Sequence, residues 1–291
     1  MGAVKTPVER AAARLPAGGG FGLDAYAPAE IAAKVQTMGV GKVQLPALTT
    51  FMLGTVAGGF IGLGALFYTI VASDPHLPFA AGRVLGGVVF SMGLVLVVVA
   101  GAELFTGNNL MAMAWADGSV TTLQLLRHWA LVYVANAVGA IGLAVLVYLS
   151  NHGALNEGAV GAAYVAIAAA KTALPFWEAF FKGVLCNLLV CLAIWLALAG
   201  RSVTDKILAV VFPISAFVAA GFEHSIANLY FIPVGLFLKD AAAIPATVDA
   251  SALTWAGFGA HLIPVTLGNI VGGSLLVALV YYVIYRRPLR H

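Results

Sequence analysis

Residues 221–233, GFEHSIANLYFIP, set Glu223 and His224 side by side inside an otherwise uncharged apolar run. Upstream, Ile207–Phe222 supplies 16 uncharged residues, and downstream Ser225–Leu238 supplies 14. Each is shorter than the ~17 residues a helix needs to cross the hydrocarbon core, and together they exceed one crossing of about 20. The pattern predicts one crossing made of two half-helices, broken near the bilayer midplane. Irregular backbone at that depth survives only where it is buried or lines a polar cavity. An ionisable pair at such a break marks a pathway or a site.

A second stretch repeats the first. Val84–Ala102 has 19 uncharged residues, Glu103 interrupts, and Leu104–Ala116 adds 13. Gly101-Ala-Glu103 is followed by Asn108 as Gly221-Phe-Glu223 is followed by Asn228, 120 residues later. Farther along, Asn136-Ala-Val-Gly139 and Asn269-Ile-Val-Gly272 each precede another apolar run. Two matches in the same order predict an internal duplication with a broken helix in each half.

The composition agrees with a membrane setting. The chain is 62% hydrophobic and 9% charged, with a mean hydropathy of +0.98; a soluble domain carries about 25% charged residues. The formal net charge of +3 is too small to suggest nucleic acid as a partner. Cys186 and Cys191 lie on different faces of one apolar helix, which disfavours a disulfide, and with no His or acid clustered beside them they read as packing residues rather than metal ligands. No cofactor fingerprint occurs.

Six crossings are expected, at Ala47–Ala72, Val84–Ala116, Trp129–Leu149, Thr172–Gly200, Ile207–Leu238 and Leu262–Tyr285. The fold class is an all-α polytopic membrane protein in which the second and fifth helices are broken. Gly54, Gly58 and Gly62, four residues apart in the first span, predict close helix packing. Met1–Ala27 reads as a loosely docked tail without a signal peptide. Pro28–Val43 reads as a helix on the membrane surface or as a solvated linker, and Asn151–Lys171 as an interfacial helix too short to cross. The expected organisation is residues 1–43 as tail and interfacial helix, 44–286 as the transmembrane domain, and 287–291 as a C-terminal tail. Eleven Lys and Arg fall on the side of the termini and four opposite, which predicts cytoplasmic termini in the plasma (inner) membrane.

GFEHSIAN, GAELFTGNN and KGVLCNLLVCLAIW (182–195) together resemble motifs of the formate/nitrite transporter family, and the likeness runs from about Pro28 to the C-terminus. The resemblance implies two inverted three-helix repeats in an aquaporin-like architecture, assembled as a homopentamer in the lipid bilayer. It implies a channel for a small monovalent anion of a weak acid: formate, nitrite or hydrosulfide. The family's motifs commonly carry small hydroxylated residues after Leu-Phe-Thr in formate-type members. Here Gly107-Asn108-Asn109 follow, which leans toward the nitrite or hydrosulfide branch.

His224 corresponds to the family's central histidine, and on the residues alone it is either a proton-exchanging group or a cap for the broken backbone. Imidazole is the side chain best suited to exchange a proton near neutral pH. In an apolar passage its charge is costly, and an approaching anion offsets that cost. Thr106 would face it across the path by the same resemblance. Glu103 and Glu223 read as acceptors that structure the loops at the breaks, because a carboxylate lining an anion path would repel the substrate. Asn108 either joins the polar face or caps the next half-helix; Asn187, a candidate for the path, and Asn228, a candidate for structuring the loop, could bond across helices or to the broken backbone. The resemblance also places Phe90, Leu94, Leu104, Phe105 and Phe217 at apolar constrictions, which would stop a bare anion and pass a small neutral acid. Lys171 resembles a vestibule lysine that gathers anions; its plain alternative is a snorkelling interfacial lysine. Glu178 and Lys182 form a helical i, i+4 pair.

Two other classes are weaker. An intramembrane enzyme using His224 and Glu223 has no nucleophile motif beside it, so no catalytic role is expected. A neutral-solute pore of the aquaporin type would carry Asn-Pro-Ala signatures, and GFEHSIAN stands in their place.

Overall fold

The computed structural model describes residues 24–242 and 244–287, and all regular secondary structure within them is helical. Most of the Met1–Ala27 tail and the last residues of the C-terminal tail lie outside the described residues. In chain order the helices are α1 (Pro28–Val43), α2 (Ala47–Ala72), α3 (Phe79–Leu96), α4 (Phe105–Asn108), α5 (Ala112–Ala116) and α6 (Thr122–Leu149). They continue with α7 (Ala159–Thr172), α8 (Phe176–Ala199), α9 (Val203–Ala220), α10 (Ser225–Leu238), α11 (Trp255–Ile270) and α12 (Val280–Tyr285). A π-helical turn, Val97–Gly101, extends α3, and a π-helical stretch, Val271–Leu279, joins α11 to α12. Six helices among the described residues are long and apolar enough to cross a membrane.

Both predicted breaks are present. Gly101 and Gly221 end the first half-helices at φ of 82° and 74°, the left-handed region in which a side chain is strained. Extended residues follow, and the chain re-enters helix at Phe105 and at Ser225. Several helices begin before the apolar runs do, because polar side chains cap them. Ser202 accepts from the Asp205 N–H, so α9 starts at Val203. Thr121 caps Gln124 and Thr254 caps Gly257, so the third and sixth spans begin at Thr122 and Trp255. The uncharged-run criterion had discarded these polar first turns.

Two short helices sit differently from the expectation. α1 does not merely rest on a surface: Ile31, Ala32 and Val35 pack against Leu110, Met113 and Trp195. α7 buries Val160, Tyr164, Val165, Ala168 and Ala169, with Ala168 tight against Gly235 of α10. Small residues on both helices permit that approach. Each repeat therefore consists of a short helix followed by three spans.

The repeats are inverted. α3 and α9 pack against each other, and Arg83 near the start of α3 bonds the last turn of α9. Tyr133 and Thr266, at equivalent positions of the repeats, hydrogen-bond to each other at 3.0 Å between α6 and α11. Glycines set the spacing of the spans that hold the breaks. A Cβ on Gly139 would lie 1.8 Å from the Thr55 carbonyl oxygen, and one on Gly268 2.2 Å from that of Phe180. The backbones of α2 and α6, and of α8 and α11, therefore touch, which brings the asparagines of α6 and α11 within reach of both breaks.

Candidate functional site

At each break the same scaffold recurs, built from the same residue types. Asn136 Nδ2 donates to the carbonyls of Gly54 (2.7 Å) and Glu103 (2.9 Å), and its Oδ1 accepts the Phe105 N–H at 2.9 Å. Asn269 does likewise with Gly183 (2.8 Å), Glu223 (2.9 Å) and the Ser225 N–H (2.9 Å). The glutamate N–H groups donate to Leu53 and Lys182 of the neighbouring spans, each at 3.3 Å. These bonds satisfy backbone groups that lipid would leave bare.

The glutamate side chains are buried and ion-paired. Lys42 Nζ lies 2.7 Å from Glu103 and 2.9 Å from Asn108 Oδ1. Lys171 Nζ reaches both oxygens of Glu223, at 3.0 and 2.9 Å. Asn108 and Asn228 each donate to their glutamate at 2.7 Å. His128 and His261 complete the two clusters, 3.3 and 3.4 Å from the glutamate oxygens. Glu103, Glu223 and Asn228, read from sequence as structuring the loops, are the residues that make these contacts. Lys171, read from sequence as a vestibule lysine, spends its charge on Glu223. Removing one partner of such a buried pair costs about 3 kcal/mol or more, because the other charge is stranded. Lys171→Met is expected to lower the thermal unfolding midpoint in detergent, and adding Glu223→Gln to recover most of that loss.

The two breaks differ where their second half-helices begin. The residue before the second half-helix is Leu104 in the first repeat and His224 in the second. Leu104 gives α4 no side-chain cap, whereas His224 Nδ1 accepts the Ala227 N–H at 3.0 Å. With Nδ1 so engaged, the neutral ring carries its proton on Nε2. That nitrogen lies 2.9 Å from Thr106 Oγ1 of the other break, so the ring donates to the hydroxyl. The Thr106 O–H is left to donate elsewhere. Both side chains are buried, Thr106 at 0% and His224 at 3% exposure.

Two cavities approach this contact. The first, of about 340 Å³, is lined by Arg83, Lys171, Lys182, Phe90, Phe217 and His224, among others. The second, of about 510 Å³, is lined by Lys42, Glu103, Leu104, Asn108 and Lys206, among others. They lie at opposite ends of the same two helices: α3 runs from Arg83 in the first toward Val97 in the second, and α9 from Lys206 to Phe217. The Phe90 and Phe217 rings meet edge-on with centroids 5.7 Å apart, and Phe217 stacks on the His224 ring at 5.9 Å.

Phe105, Leu94 and Asn187, expected on the path, line neither cavity, as is also true of Thr106. Phe105 packs edge-on against Tyr133 (4.9 Å) and Trp129 (6.2 Å). Leu94 is buried at 2% exposure. Asn187 sits behind the Thr106 loop, its Nδ2 shared by the Thr106 and Asn269 carbonyls and by Asn109 Oδ1. Sequence reasoning missed Lys42, Arg83, His128 and His261. A signal for the histidines existed: His128 precedes Asn136, and His261 precedes Asn269, by the same eight residues.

The profile of the formate/nitrite transporter family matches residues 29–283. The chain belongs to that family. It is 42% identical to the Formate channel FocA of Escherichia coli (strain K12) over 277 residues, covering 92% of this chain and 97% of that protein. A "Probable formate transporter" of Methanothermobacter thermautotrophicus is 37% identical, covering 89% and 96%. Among solved structures, one described as "Pentameric formate channel with formate bound" superposes with a TM-score of 0.76 at 38% identity, covering 82% of this chain and 97% of that one. An "FNT family ion channel" superposes at 0.77 with 30% identity, covering 88% and 98%. These relatives are transporters and channels, not enzymes, and the six apolar helices make the chain a multi-pass membrane protein.

Proposed function

We propose that this member of the family moves small monovalent anions of weak acids, formate foremost, across the membrane together with a proton. The names of the relatives favour formate over the nitrite or hydrosulfide branch suggested by Gly107-Asn108-Asn109. The single observation that carries the mechanism is the contact between His224 Nε2 and Thr106 Oγ1, which joins the two breaks at residues whose counterparts in the duplication are Leu104 and Ile226. The Phe90–Phe217 pair lines the first cavity beside His224, and an apolar constriction opposes a bare anion far more than a neutral acid.

The steps follow from the geometry. An anion entering the first cavity reaches His224 at its wall, beside the Thr106 hydroxyl, whose proton is free because the oxygen already accepts from His224. The ring takes a second proton on Nδ1 only by releasing the Ala227 N–H, and the nearby anion offsets the cost of that charge. The Nε2 proton then passes to Thr106 as the hydroxyl proton passes to the anion, leaving a neutral acid. The acid crosses the apolar pair and Leu104 and loses its proton in the second cavity. The ring returns to its starting tautomer by gaining a proton on Nε2 as it gives the Nδ1 proton to cavity water, and Nδ1 recaps α10. A neutral-acid passage of this kind consumes one proton per anion.

The same reading takes the assembly to be a homopentamer, as the related structure is described, and places both termini in the cytoplasm. Lys42 and Lys171 belong to internal ion pairs; without them ten basic residues still stand against three. The test is stopped-flow uptake of formate, nitrite and hydrosulfide into proteoliposomes between about pH 5 and 8, the range in which imidazole titrates. Formate uptake should rise steeply as pH falls, after the leak of protein-free vesicles is subtracted. Uptake indifferent to pH would point to a bare-anion pore.

A further inference from the structure

The first cavity contains three cations, and two of them are already neutralised. Lys171 is bound to both oxygens of Glu223. Lys182 pairs with Glu178 at 2.7 Å. Arg83 has no carboxylate partner among the described residues: Nε donates to the Ala219 carbonyl at 2.9 Å, Nη2 to Val218 at 2.8 Å, and Nη1 to Tyr68 Oη at 3.2 Å. Its charge is offset only by the partial negative charge at the end of α9. Of five N–H groups three are engaged, which leaves one on each terminal nitrogen. That pair is the arrangement in which a guanidinium grips a two-oxygen anion end-on.

We propose that Arg83 is the anion-recognising group of this cavity and that it selects planar two-oxygen anions, such as formate and nitrite, by a bidentate grip. The proposal rests on the anion-transport reading above and adds a specificity residue to it. α9 is held by the same guanidinium through its side-on edge, so the end-on edge is presented by a side chain that cannot swing. Hydrosulfide, with one acceptor atom, gains nothing from a second parallel donor. A lysine here would offer a point charge without the fork. The second cavity has such a point charge in Lys206, near the start of α9 as Arg83 is near the start of α3.

The experiment is uptake of labelled formate by wild-type and Arg83→Lys proteoliposomes at constant ionic strength, with nitrite and hydrosulfide as competitors, near pH 8 where hydrosulfide is ionised. Loss of one charge-assisted hydrogen bond should raise the KM for formate and the Ki for nitrite about tenfold. The Ki for hydrosulfide should stay within about twofold. If all three constants rise together, or none does, Arg83 is a brace or a bare charge and the proposal is overturned. Should Arg83→Lys fail to survive purification, the wild-type protein decides. Nitrite must then inhibit formate uptake about tenfold more strongly than hydrosulfide, and equal inhibition overturns the fork. Absence of any protein-dependent formate uptake in wild type would instead remove the transport reading itself.

Discussion

His224→Asn proteoliposomes are expected to take up formate about a hundredfold more slowly than wild type, the worth of a hydrogen bond to a charged group, and to lose the steep rise of uptake at low pH. The choice of asparagine matters. His224 does two separable jobs in the structure: Nδ1 caps α10 through the Ala227 N–H, and Nε2 donates to Thr106. Asparagine is among the better N-capping residues, so the break and the half-helix should persist. It neither titrates nor reaches Thr106, so proton delivery should end. His224→Phe removes the cap as well and should lower the unfolding midpoint, which Asn should not. If His224→Asn moves formate at the wild-type rate with the wild-type pH dependence, the ring is only a plug for the broken helix, and the proton step proposed here fails. Thr106→Val should fall with His224→Asn in the same assay, because it interrupts the same donor chain.

The features legible in the sequence were those carried by runs and repeats. Charged residues interrupting long apolar stretches located both breaks, and the spaced glycines, glutamates and asparagines exposed the duplication. Partnerships across elements were not legible. Lys42 counts as a tail residue in a linear reading, yet α1 folds back and delivers it to Glu103. Lys171 lies on a helix judged interfacial, and only the packing of α7 along α10 turns its ammonium toward Glu223. Arg83 opens an apolar run like any membrane-edge arginine, and its role depends on α9 ending beside it. Phe105 shows the converse limit. A resemblance specifies which residue stands at a motif position but not its packing, and here Trp129 and Tyr133 hold its ring between them. The helix starts at Thr122, Val203 and Trp255 were missed because caps, not hydrophobicity, decide where a helix begins.

The largest loss of stability is expected from Asn269→Ala, with Asn136→Ala close to it. Asn269 has one amide serving three backbone groups: two carbonyls receive its N–H donors, and the Ser225 N–H donates to its oxygen. All three bonds are buried, so truncation leaves the groups no replacement from solvent. At about 1–3 kcal/mol for each stranded buried group, and with partial relief for the Gly183 carbonyl inside a helix, the cost is roughly 3–6 kcal/mol. For a chain of this size that corresponds to a fall of about 5–10 °C in the unfolding midpoint. The duplicated geometry makes the prediction double: Asn136 holds Gly54, Glu103 and Phe105 by the same three bonds, so its loss should match that of Asn269. The two variants should differ in function near the threshold of folding, since Asn269 fixes the break that carries His224 whereas Asn136 fixes the one that carries Thr106. Asn187→Ala, which removes a donor behind the Thr106 loop but strands no backbone N–H, should cost less than either. If Asn136→Ala or Asn269→Ala melts within about a degree of wild type, the breaks are held by the span packing alone, and the asparagines are passengers of the repeat rather than its fasteners.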